Sequence, residues 1–316
     1  MKKIYIELSD ICTLSCRFCP AIKGKRGIMS VEDFRHCLKQ ALPLCHRIAL
    51  HILGDPCYLG NLGEYLNVAR EIGLQLQKYP KIDIVTSGAF FAKHSLDTLL
   101  SPPIFQLSIS LEAGIDNFTK NPTRDFKARK FSAYLDSIAT VLNAHKQNPQ
   151  VFINLRIQDL HSLRDKHTLQ VITHFLSPLL DFTYLAKQHS NDITQIKEQF
   201  LSGKIESLLD CKGRIRLWKK AFLVVKNSFV WAGFDKINER RNYKCCALSK
   251  QVGILSNGIV VPCCMDAQGA INLGNIFRTP LKQILSTTRA QNIIAGFKVG
   301  EAKENLCKTC GFWGDI

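Results

Sequence analysis

The sequence lacks any hydrophobic run long enough to cross a membrane, because no apolar stretch approaches ~18 residues. It also has no internal repeat and no low-complexity segment. At the amino terminus, Glu7 and Asp10 interrupt the chain before the apolar stretch of a secretory signal could form. We therefore expect a cytoplasmic protein with no membrane partner.

Acidic residues are scarce relative to basic ones: 26 Asp and Glu oppose 42 Lys and Arg, which gives a net charge of +16. Such an excess suits nucleic acid, an acidic peptide or an anionic small substrate. The basic residues are spread along the chain, however, and no basic patch interleaved with aromatic residues stands out. We favour a generally basic surface, and a nucleic-acid partner has no motif to support it.

The alternation of strand-like and helix-like segments predicts an α/β protein. The 316 residues and 46% hydrophobic content suffice for one large domain or two smaller ones with a sizeable core. Strand patterns occur at 4–8, 47–53, 82–86, 105–111, 151–157 and 182–186, and helical patterns at 30–42, 62–76, 94–100, 126–145, 168–180 and 192–209. This order indicates five or six β/α units, the alternation expected of a parallel sheet or barrel.

The carboxy-terminal part differs in kind, because Asn257-Gly258 between two apolar runs is a strong hairpin signal. The flanking runs and the helix expected after them lie at 252–255, 259–261 and 280–287. We interpret residues 191–240 as a bridge that includes a strand-like stretch at 221–225.

Cysteine is abundant, and thirteen cysteines in an intracellular chain favour metal binding over disulfides. Cys12, Cys16 and Cys19 form a CxxxCxxC pattern directly after the first predicted strand. Thiolates with this spacing can hold three irons of a 4Fe–4S cluster, which leaves the fourth iron open to bind a small molecule. The alternatives are three unrelated thiols or a zinc site, which needs a fourth ligand that is not evident just after Cys19.

These residues and their setting resemble the radical S-adenosylmethionine (SAM) superfamily. The resemblance implies a partial (β/α)6 TIM-type barrel whose site lies at the carboxyl ends of the strands. The family carries an aromatic residue before the third cysteine, a Gly-Gly-Glu-Pro type motif after strand two, and polar residues after strands three and four. The matching positions, which the resemblance assigns to SAM binding, are Phe18, Gly54, Asp55, Pro56, Ser87, Ser110 and Glu112.

The motif after strand two departs from the family pattern. Leu53 replaces its first glycine, and Asp55 is one methylene shorter than the usual glutamate. Asp55 taken alone could be a turn residue before proline. Ser110 and Glu112 could likewise be strand-end residues that face water.

The carboxy-terminal cysteines resemble the SPASM/Twitch extension of radical SAM proteins. The matching features are the spacing from Gly258 to Cys263 and a later CxxC pair. The resemblance implies one auxiliary 4Fe–4S cluster with the ligands Cys245, Cys263, Cys307 and Cys310. Cys246 or Cys264 could replace its neighbour, and a four-cysteine zinc ribbon is the alternative interpretation. The expected domains are a radical SAM core at 1–190, the bridge at 191–240 and a SPASM/Twitch-like domain at 241–316.

The expected function follows from this resemblance. A radical SAM enzyme, an oxidoreductase or transferase, cleaves SAM at its reduced cluster to a 5′-deoxyadenosyl radical that abstracts hydrogen from a substrate. The expected substrate is a peptide, a protein or a small molecule, and an external donor such as flavodoxin or ferredoxin would supply the electron. The alternatives are an RNA-modifying radical SAM enzyme and a non-catalytic iron–sulfur or zinc protein. The sequence names no catalytic acid or base.

Overall fold

The structure is a computed structural model, and it describes residues 1–16, 18–20, 26–115, 117, 131–158, 166–226, 231–234 and 242–312. The chain forms two compact units. The first contains Met1–Cys12, Phe18–Val85 and Phe229–Ile316, and the second contains Thr13–Arg17 and Thr86–Ser228. This division reflects packing, and the domain boundaries expected from the sequence stay a prediction.

The described residues contain nine strands: β1 Lys3–Ile6, β2 Arg47–Ala49, β3 Ile82–Thr86, β4 Ile104–Ser110, β5 Phe152–Gln158, β6 Arg214–Trp218, β7 Ala221–Lys226, β8 Gln251–Ile254 and β9 Val260–Val261. The α-helices are α1 Val31–Ala41, α2 Leu62–Gln75, α3 Leu96–Leu100, α4 Leu111–Ile115, α5 Phe131–Gln147, α6 Lys166–Leu176, α7 Phe182–His189, α8 Ile193–Leu201, α9 Leu281–Leu285, α10 Thr288–Lys298 and α11 Asn305–Lys308.

In the first unit the strands lie in the order β3-β2-β1-β8-β9. β1 is parallel to both of its neighbours, with Lys3 opposite Arg47 on β2 and opposite Gln251 on β8. β8 and β9 form the antiparallel hairpin that Asn257-Gly258 predicts. The pairing of β8 with β1 therefore brings the carboxy-terminal hairpin beside the first strand of the chain.

In the second unit the strands lie in the order β4-β5-β7-β6. β4 is parallel to β5, with Ser110 opposite Arg156, and β5 is parallel to β7, with Ile153 opposite Ala221. β6 is antiparallel to β7. The parallel strands are rich in Ile, Leu, Val and Phe, which is typical of strands buried on both faces.

The fold is mixed α/β with a mostly parallel, open sheet, which confirms the fold class predicted from the sequence. One predicted element is wrong: the stretch 182–186, predicted as the sixth strand, lies in helix α7. Asp181 caps this helix by accepting hydrogen bonds from the backbone N–H groups of Thr183 and Tyr184 at 3.0 and 3.2 Å. The parallel strand that follows β5 in the sheet is β7, which covers the strand-like stretch of the expected bridge.

Other predicted boundaries also differ from those of the structure. β2 is shorter than predicted, and the helix expected at 192–209 ends at Leu201. The helix expected at 126–145 is seen from Phe131, since residues 126–130 lie outside the described residues. Helix α10 has no counterpart among the predicted elements. Within the described ranges, no helix combines the length and apolar composition that a membrane crossing requires.

Candidate functional site

The segment that carries Cys12, Cys16 and Cys19, here called the cysteine loop, follows the carboxyl end of β1, where the sequence predicts it. Cys12 and Cys19 are exposed, Cys16 is partly buried, and none of the three is in a disulfide. Ser9 turns the chain just before the loop, because its Oγ accepts a hydrogen bond from the N–H of Ile11 at 2.9 Å. The thiols are accessible enough to receive an inorganic cluster, which fits the role predicted for them.

Buried carboxylates hold the chain on both sides of this loop. The Glu7 side chain is fully buried and accepts hydrogen bonds from the Arg26 guanidinium at 3.0–3.2 Å. The two oxygens of Asp10 accept from the backbone N–H groups of Arg26 and Gly27 at 3.1 and 2.9 Å. Burial raises the pKa of Glu7, and the charge of Arg26 opposes that shift.

The Glu7 carboxylate also reaches two other segments of the first unit. Its Oε1 accepts from the N–H of Leu53 at 3.2 Å, just after β2. Its Oε2 accepts from the N–H of Ser256 at 3.1 Å, in the turn between β8 and β9. One side chain therefore joins the end of the cysteine loop, the end of β2 and the carboxy-terminal hairpin.

The segment after β2 contains the predicted SAM-binding residues Gly54, Asp55 and Pro56. A Cβ atom on Gly54 would lie 2.1 Å from the carbonyl oxygen of Ser9, so this segment can pass the cysteine loop only with glycine. Asp55 is buried, and its Oδ1 accepts from the N–H of Cys57 at 3.0 Å, which caps a 3₁₀ turn that begins at Pro56. Asp55 thus has the turn role of the alternative interpretation, and its contact with SAM stays a prediction.

Ser87, Ser110 and Glu112 are buried just after β3 or at the end of β4. The carbonyl oxygen of Ser87 accepts from the hydroxyl of Tyr134 at 2.9 Å, which fixes the chain after β3. Ser110 lies in register beside Arg156 of β5, and Glu112 is in the first turn of α4. Their burial argues against the alternative in which they face water, and their contacts with SAM stay predictions.

A side chain outside the predicted set contacts Cys16 directly. Asn117 is fully buried, and its Nδ2 donates to Cys16 Sγ at 3.2 Å and to the carbonyl oxygen of Ala113 at 2.7 Å. Its Oδ1 accepts from the N–H of Ser15 at 2.8 Å. Hydrogen bonds to the sulfurs tune the potential of an iron–sulfur cluster. Asn117 is therefore placed both to hold this part of the loop and to act on the sulfur of Cys16, a predicted cluster ligand.

The residue before the third cysteine is held by an indole. The carbonyl oxygen of Phe18 accepts from Trp231 Nε1–H at 2.9 Å. Trp231 packs against an apolar cluster that includes Tyr5 and Val261, and Cys264 packs against the same cluster. The indole thus joins the cysteine loop to the core beneath the carboxy-terminal hairpin.

The structure brings the four predicted auxiliary-cluster ligands into one electrostatic neighbourhood. Burial raises the pKa of Cys263, with Cys310 and Cys307 among the other contributors. Burial raises the pKa of Cys307 to about 12, and Cys310 adds to that shift. A hydrogen bond with Cys246 raises the pKa of Cys245, to which Cys263 also contributes. These shifts indicate that the thiols influence one another electrostatically, and a bound metal centre would take up the charge of their thiolates.

The alternative ligands, Cys246 and Cys264, are engaged with another side chain. Gln251 is buried, its Nε2 donates to Cys246 Sγ at 3.7 Å, and its Oε1 accepts from Cys264 Sγ at 3.8 Å. This network favours Cys245 and Cys263 as the ligands, an assignment that stays a prediction.

The donor sets suit iron–sulfur chemistry, because thiolates are soft ligands. In the part of the chain that the structure describes, no three Cys, His, Asp or Glu side chains converge as they would around a single metal ion. Each ligand of a four-iron cluster binds a different iron, so such ligands need not converge on one point. By the chemistry of their donors, the cysteines of both groups suit an iron–sulfur cluster.

Sequence reasoning missed Glu7, Arg26, Asn117, Trp231 and Gln251 as members of the site. The one local signal is at Glu7, because a carboxylate at the end of an apolar strand needs a buried partner. The contacts of Asn117 and Trp231 span 101 and 213 residues of sequence, which no short pattern reveals.

Comparisons with known proteins concern the carboxy-terminal cysteines and the fold. Residues 245–311 match the SPASM family, described as an iron–sulfur cluster-binding domain. Streptococcus suis SuiB bound to precursor peptide SuiA is 14% identical, and the match covers 98% of this chain and 69% of that chain with a TM-score of 0.59. Native anSMEcpe with bound AdoMet and Cp18Cys peptide is 15% identical, with 98% and 85% covered and a TM-score of 0.56. BtrN in complex with AdoMet and 2-DOIA is 15% identical, with 99% and 93% covered and a TM-score of 0.49.

A comparison with curated proteins gave no match. At the identities of the solved structures, the likeness concerns the fold. The SPASM match falls on the carboxy-terminal cysteines that the sequence singles out, and the shared fold extends over nearly the whole chain. The SPASM match agrees with the SPASM/Twitch-type extension expected from the sequence, and the solved structures show a shared fold.

Proposed function

We propose that this chain is a radical SAM enzyme that acts on a peptide. A 4Fe–4S cluster at the amino-terminal site would supply the electron that cleaves SAM and so generates the 5′-deoxyadenosyl radical that takes hydrogen from the substrate. The observation that carries the proposal is the CxxxCxxC loop at the carboxyl end of β1, closed by the Glu7–Arg26 pair. The SPASM match at residues 245–311 supports it independently.

The residues of the cysteine loop have separate tasks in this proposal. Cys12, Cys16 and Cys19 would hold the cluster. Glu7 and Arg26 hold the chain on the two sides of the loop, which restricts the positions that the loop can take. Preorganised ligands bind a cluster at lower entropic cost than ligands on a mobile loop.

The SAM contacts are proposed from the strand ends. The residues that would line the SAM site are Phe18, Gly54, Asp55, Pro56, Ser87, Ser110 and Glu112. Ser110 and Glu112 have polar atoms suited to hydrogen bonds with ribose hydroxyls. The segment around Gly54 offers backbone groups, since its approach to the loop leaves no room for a side chain.

A second cluster is proposed at the carboxy-terminal cysteines. Its ligands would be Cys245, Cys263, Cys307 and Cys310, and it would hold substrate or carry an electron. An external flavodoxin or ferredoxin would reduce the enzyme. We place the enzyme in the cytoplasm, where reducing conditions keep its thirteen cysteines available as thiols.

The substrate class rests on the structural neighbours with TM-scores above 0.5. SuiB was solved with the precursor peptide SuiA, and anSMEcpe with the Cp18Cys peptide. This chain shares their fold over 98% of its length. The neighbours therefore favour a peptide substrate over RNA. The only argument for RNA is the net charge of +16.

The activity is tested by anaerobic reconstitution with iron and sulfide, followed by a dithionite-driven assay of 5′-deoxyadenosine formation from SAM. We expect formation by the wild type and its loss in Cys16→Ala. Cys211→Ala is the matched control, because Cys211 is an exposed thiol in the second unit without partner spacing. Equal activity of the two variants would contradict the proposal, and an intact cluster that never cleaves SAM would favour the non-catalytic alternative.

The substrate class is tested by adding three fractions of a cell extract to the same assay: peptides, total RNA and small metabolites. We expect the peptide fraction to stimulate 5′-deoxyadenosine formation and to contain a product of changed mass. Stimulation by RNA or by metabolites alone would reject the peptide assignment while leaving the radical SAM activity in place.

A further inference from the structure

Glu7 is a fully buried carboxylate that contacts three separate segments of the first unit. The Arg26 guanidinium donates to both of its oxygens at 3.0–3.2 Å. Oε1 also accepts from the N–H of Leu53, and Oε2 from the N–H of Ser256. The donors surround the carboxylate, so its position depends on all three segments at once.

A buried ion pair is a poor source of stability, because desolvation offsets much of the attraction. Apolar residues of similar volume would pack this position without that cost. The carboxylate does what an apolar residue cannot do, since it fixes the register of Leu53 and Ser256 through directed hydrogen bonds. The arrangement is therefore better explained by positioning than by stability.

Each contacted segment leads directly to a part of the proposed site. Arg26 lies on the carboxy-terminal side of the cysteine loop, and Leu53 precedes Gly54. Ser256 begins the hairpin turn that leads through β9 to Cys263. A movement of the loop that displaced Arg26 would also displace the Glu7 carboxylate, and with it the hairpin turn at Ser256.

Two further contacts restrict the movement of the cysteine loop relative to the segments around it. The backbone of Gly54 packs so tightly against Ser9 that an added Cβ would lie 2.1 Å from the Ser9 carbonyl oxygen. The Trp231 indole holds the Phe18 carbonyl oxygen at 2.9 Å while it packs against the apolar core that contains Val261. Loop and hairpin are thus joined at Glu7 and, independently, at Trp231.

We infer that Glu7 is a positioning residue that couples the SAM-binding loop to the auxiliary-cluster hairpin, so that SAM binding at the loop rigidifies the hairpin before substrate is engaged. The inference rests on the proposed function, because it assumes that SAM binds at the cysteine loop. Coupling of this kind requires that SAM stabilise one arrangement of the shared contacts over another.

The test is hydrogen exchange of the reconstituted holoenzyme, measured anaerobically with and without SAM. In the wild type we expect SAM to slow exchange at residues 8–16 and, by about fivefold or more, at residues 252–262, a factor that matches the lower end of typical allosteric coupling free energies. In Glu7→Gln, which keeps the side-chain shape, we expect SAM to slow exchange at 8–16 as in the wild type and at 252–262 by clearly less than in the wild type, because only the Trp231 contact still joins the two segments. A residue needed only for folding would change exchange in both states and leave the SAM-dependent difference at the hairpin intact.

Asp83→Asn is the matched control. Asp83 is also a buried carboxylate of the first unit, but it pairs with Lys3 at 2.8 Å and with Arg47, away from the loop and the hairpin turn. We expect Asp83→Asn to keep the full response of residues 252–262. If Glu7→Gln fails to fold, Arg26→Lys serves instead, because lysine keeps the charge but lacks the planar fork of donors.

The outcomes separate the two levels of the proposal. If SAM did not change hydrogen exchange at residues 8–16 of the wild type, SAM binding at the loop would be rejected, and the inference with it. A loop that responds to SAM without any response at 252–262 would overturn the inference alone. A hairpin response in Glu7→Gln equal to that of Asp83→Asn would also overturn it.

Discussion

Gly54 lies directly against Ser9: a Cβ atom added to Gly54 would be 2.1 Å from the carbonyl oxygen of Ser9 and 2.8 Å from its carbonyl carbon. Both distances are far inside van der Waals contact, and the obstacle is backbone, which cannot rotate away. The glycine of the motif after β2 therefore has a packing reason, because it lets that segment approach the start of the cysteine loop.

Gly54→Ala should push the cysteine loop out of place. We expect a loss of about 1–3 kcal/mol in the free energy of unfolding, the usual cost of overpacking, together with a lower iron content after reconstitution. Urea unfolding and iron analysis measure the two effects. Gly60→Ala is the matched control, since a Cβ on Gly60 meets nothing within 4 Å. Equal stability and iron content in the two variants would show that the loop yields to the added methyl group.

The local patterns of the sequence predict much of this fold. The alternation of strands and helices depends on side-chain periodicity over a few residues, so the class could be predicted. The hairpin could also be predicted, because an Asn-Gly pair favours a tight turn between strands. Its physical reason is the φ of +83° at Gly258, a conformation that few other residues adopt. The cysteine groups were visible because ligand spacing lies within the sequence itself.

Long-range contacts could not be predicted in this way. The parallel pairing of β8 with β1 joins Gln251 to Lys3 across most of the chain, and no local pattern encodes it. The error at 182–186 has another cause, since a short apolar run suits a strand or a helix equally. The Asp181 cap decides that case, and an aspartate before the run was the signal available.

Asn117→Asp tests the hydrogen bond on Cys16 Sγ. Aspartate keeps an oxygen that can accept from the N–H of Ser15, but it replaces the Nδ2 donor to Cys16 and Ala113 with an acceptor. We expect a more negative reduction potential, because a donor to the sulfur stabilises the more negative reduced cluster. Activity should fall about 10–100-fold, as is typical when a partner of a metal ligand is lost.

The potential is measured by anaerobic redox titration followed by electron paramagnetic resonance. Asn143→Asp makes the same chemical change at an exposed position of α5 and should leave both the potential and the activity unchanged. Equal potentials in the two variants would show that Asn117 has no electronic effect on the cluster and acts through the loop alone.

His145 makes the stability of the second unit sensitive to acid. The buried imidazole contacts the Val151 carbonyl oxygen with Nε2 at 2.8 Å, and its Nδ1 contacts Trp218 Nε1 at 3.0 Å. The carbonyl requires a proton on Nε2, and the indole N–H requires a bare Nδ1, so the ring is neutral. Burial lowers the pKa of His145, chiefly because it removes water from the charged form.

The sign of the effect follows from proton binding. Just below the ordinary histidine pKa of about 6.5, His145 is protonated in the unfolded chain but stays neutral in the folded protein. The stabilising contribution is therefore present above about pH 6.5 and is lost as the pH falls below it. His145→Gln should weaken the fall in urea midpoint between pH 8 and pH 5, although it lowers the midpoint itself. His174→Gln, at an exposed position, should leave the wild-type slope, and a common slope for all three proteins would refute the assignment.

The pairing of Gln251 with Cys246 and Cys264 predicts which cysteine of each doublet binds the auxiliary cluster. Cys245→Ser should lower the iron content from about eight to about four per chain, since a four-iron cluster would lose a thiolate ligand. Cys246→Ser should keep the full iron content, because serine still offers an oxygen acceptor to Gln251 Nε2 at the cost of about 1 kcal/mol in stability. Each serine variant is the other's control, as the two positions are adjacent and the chemical change is identical. Iron and sulfide analysis of both reconstituted proteins distinguishes the two assignments. If Cys245→Ser kept about eight irons and Cys246→Ser lost about four, Cys246 would be the ligand, and the contact with Gln251 would not predict which cysteine binds the cluster.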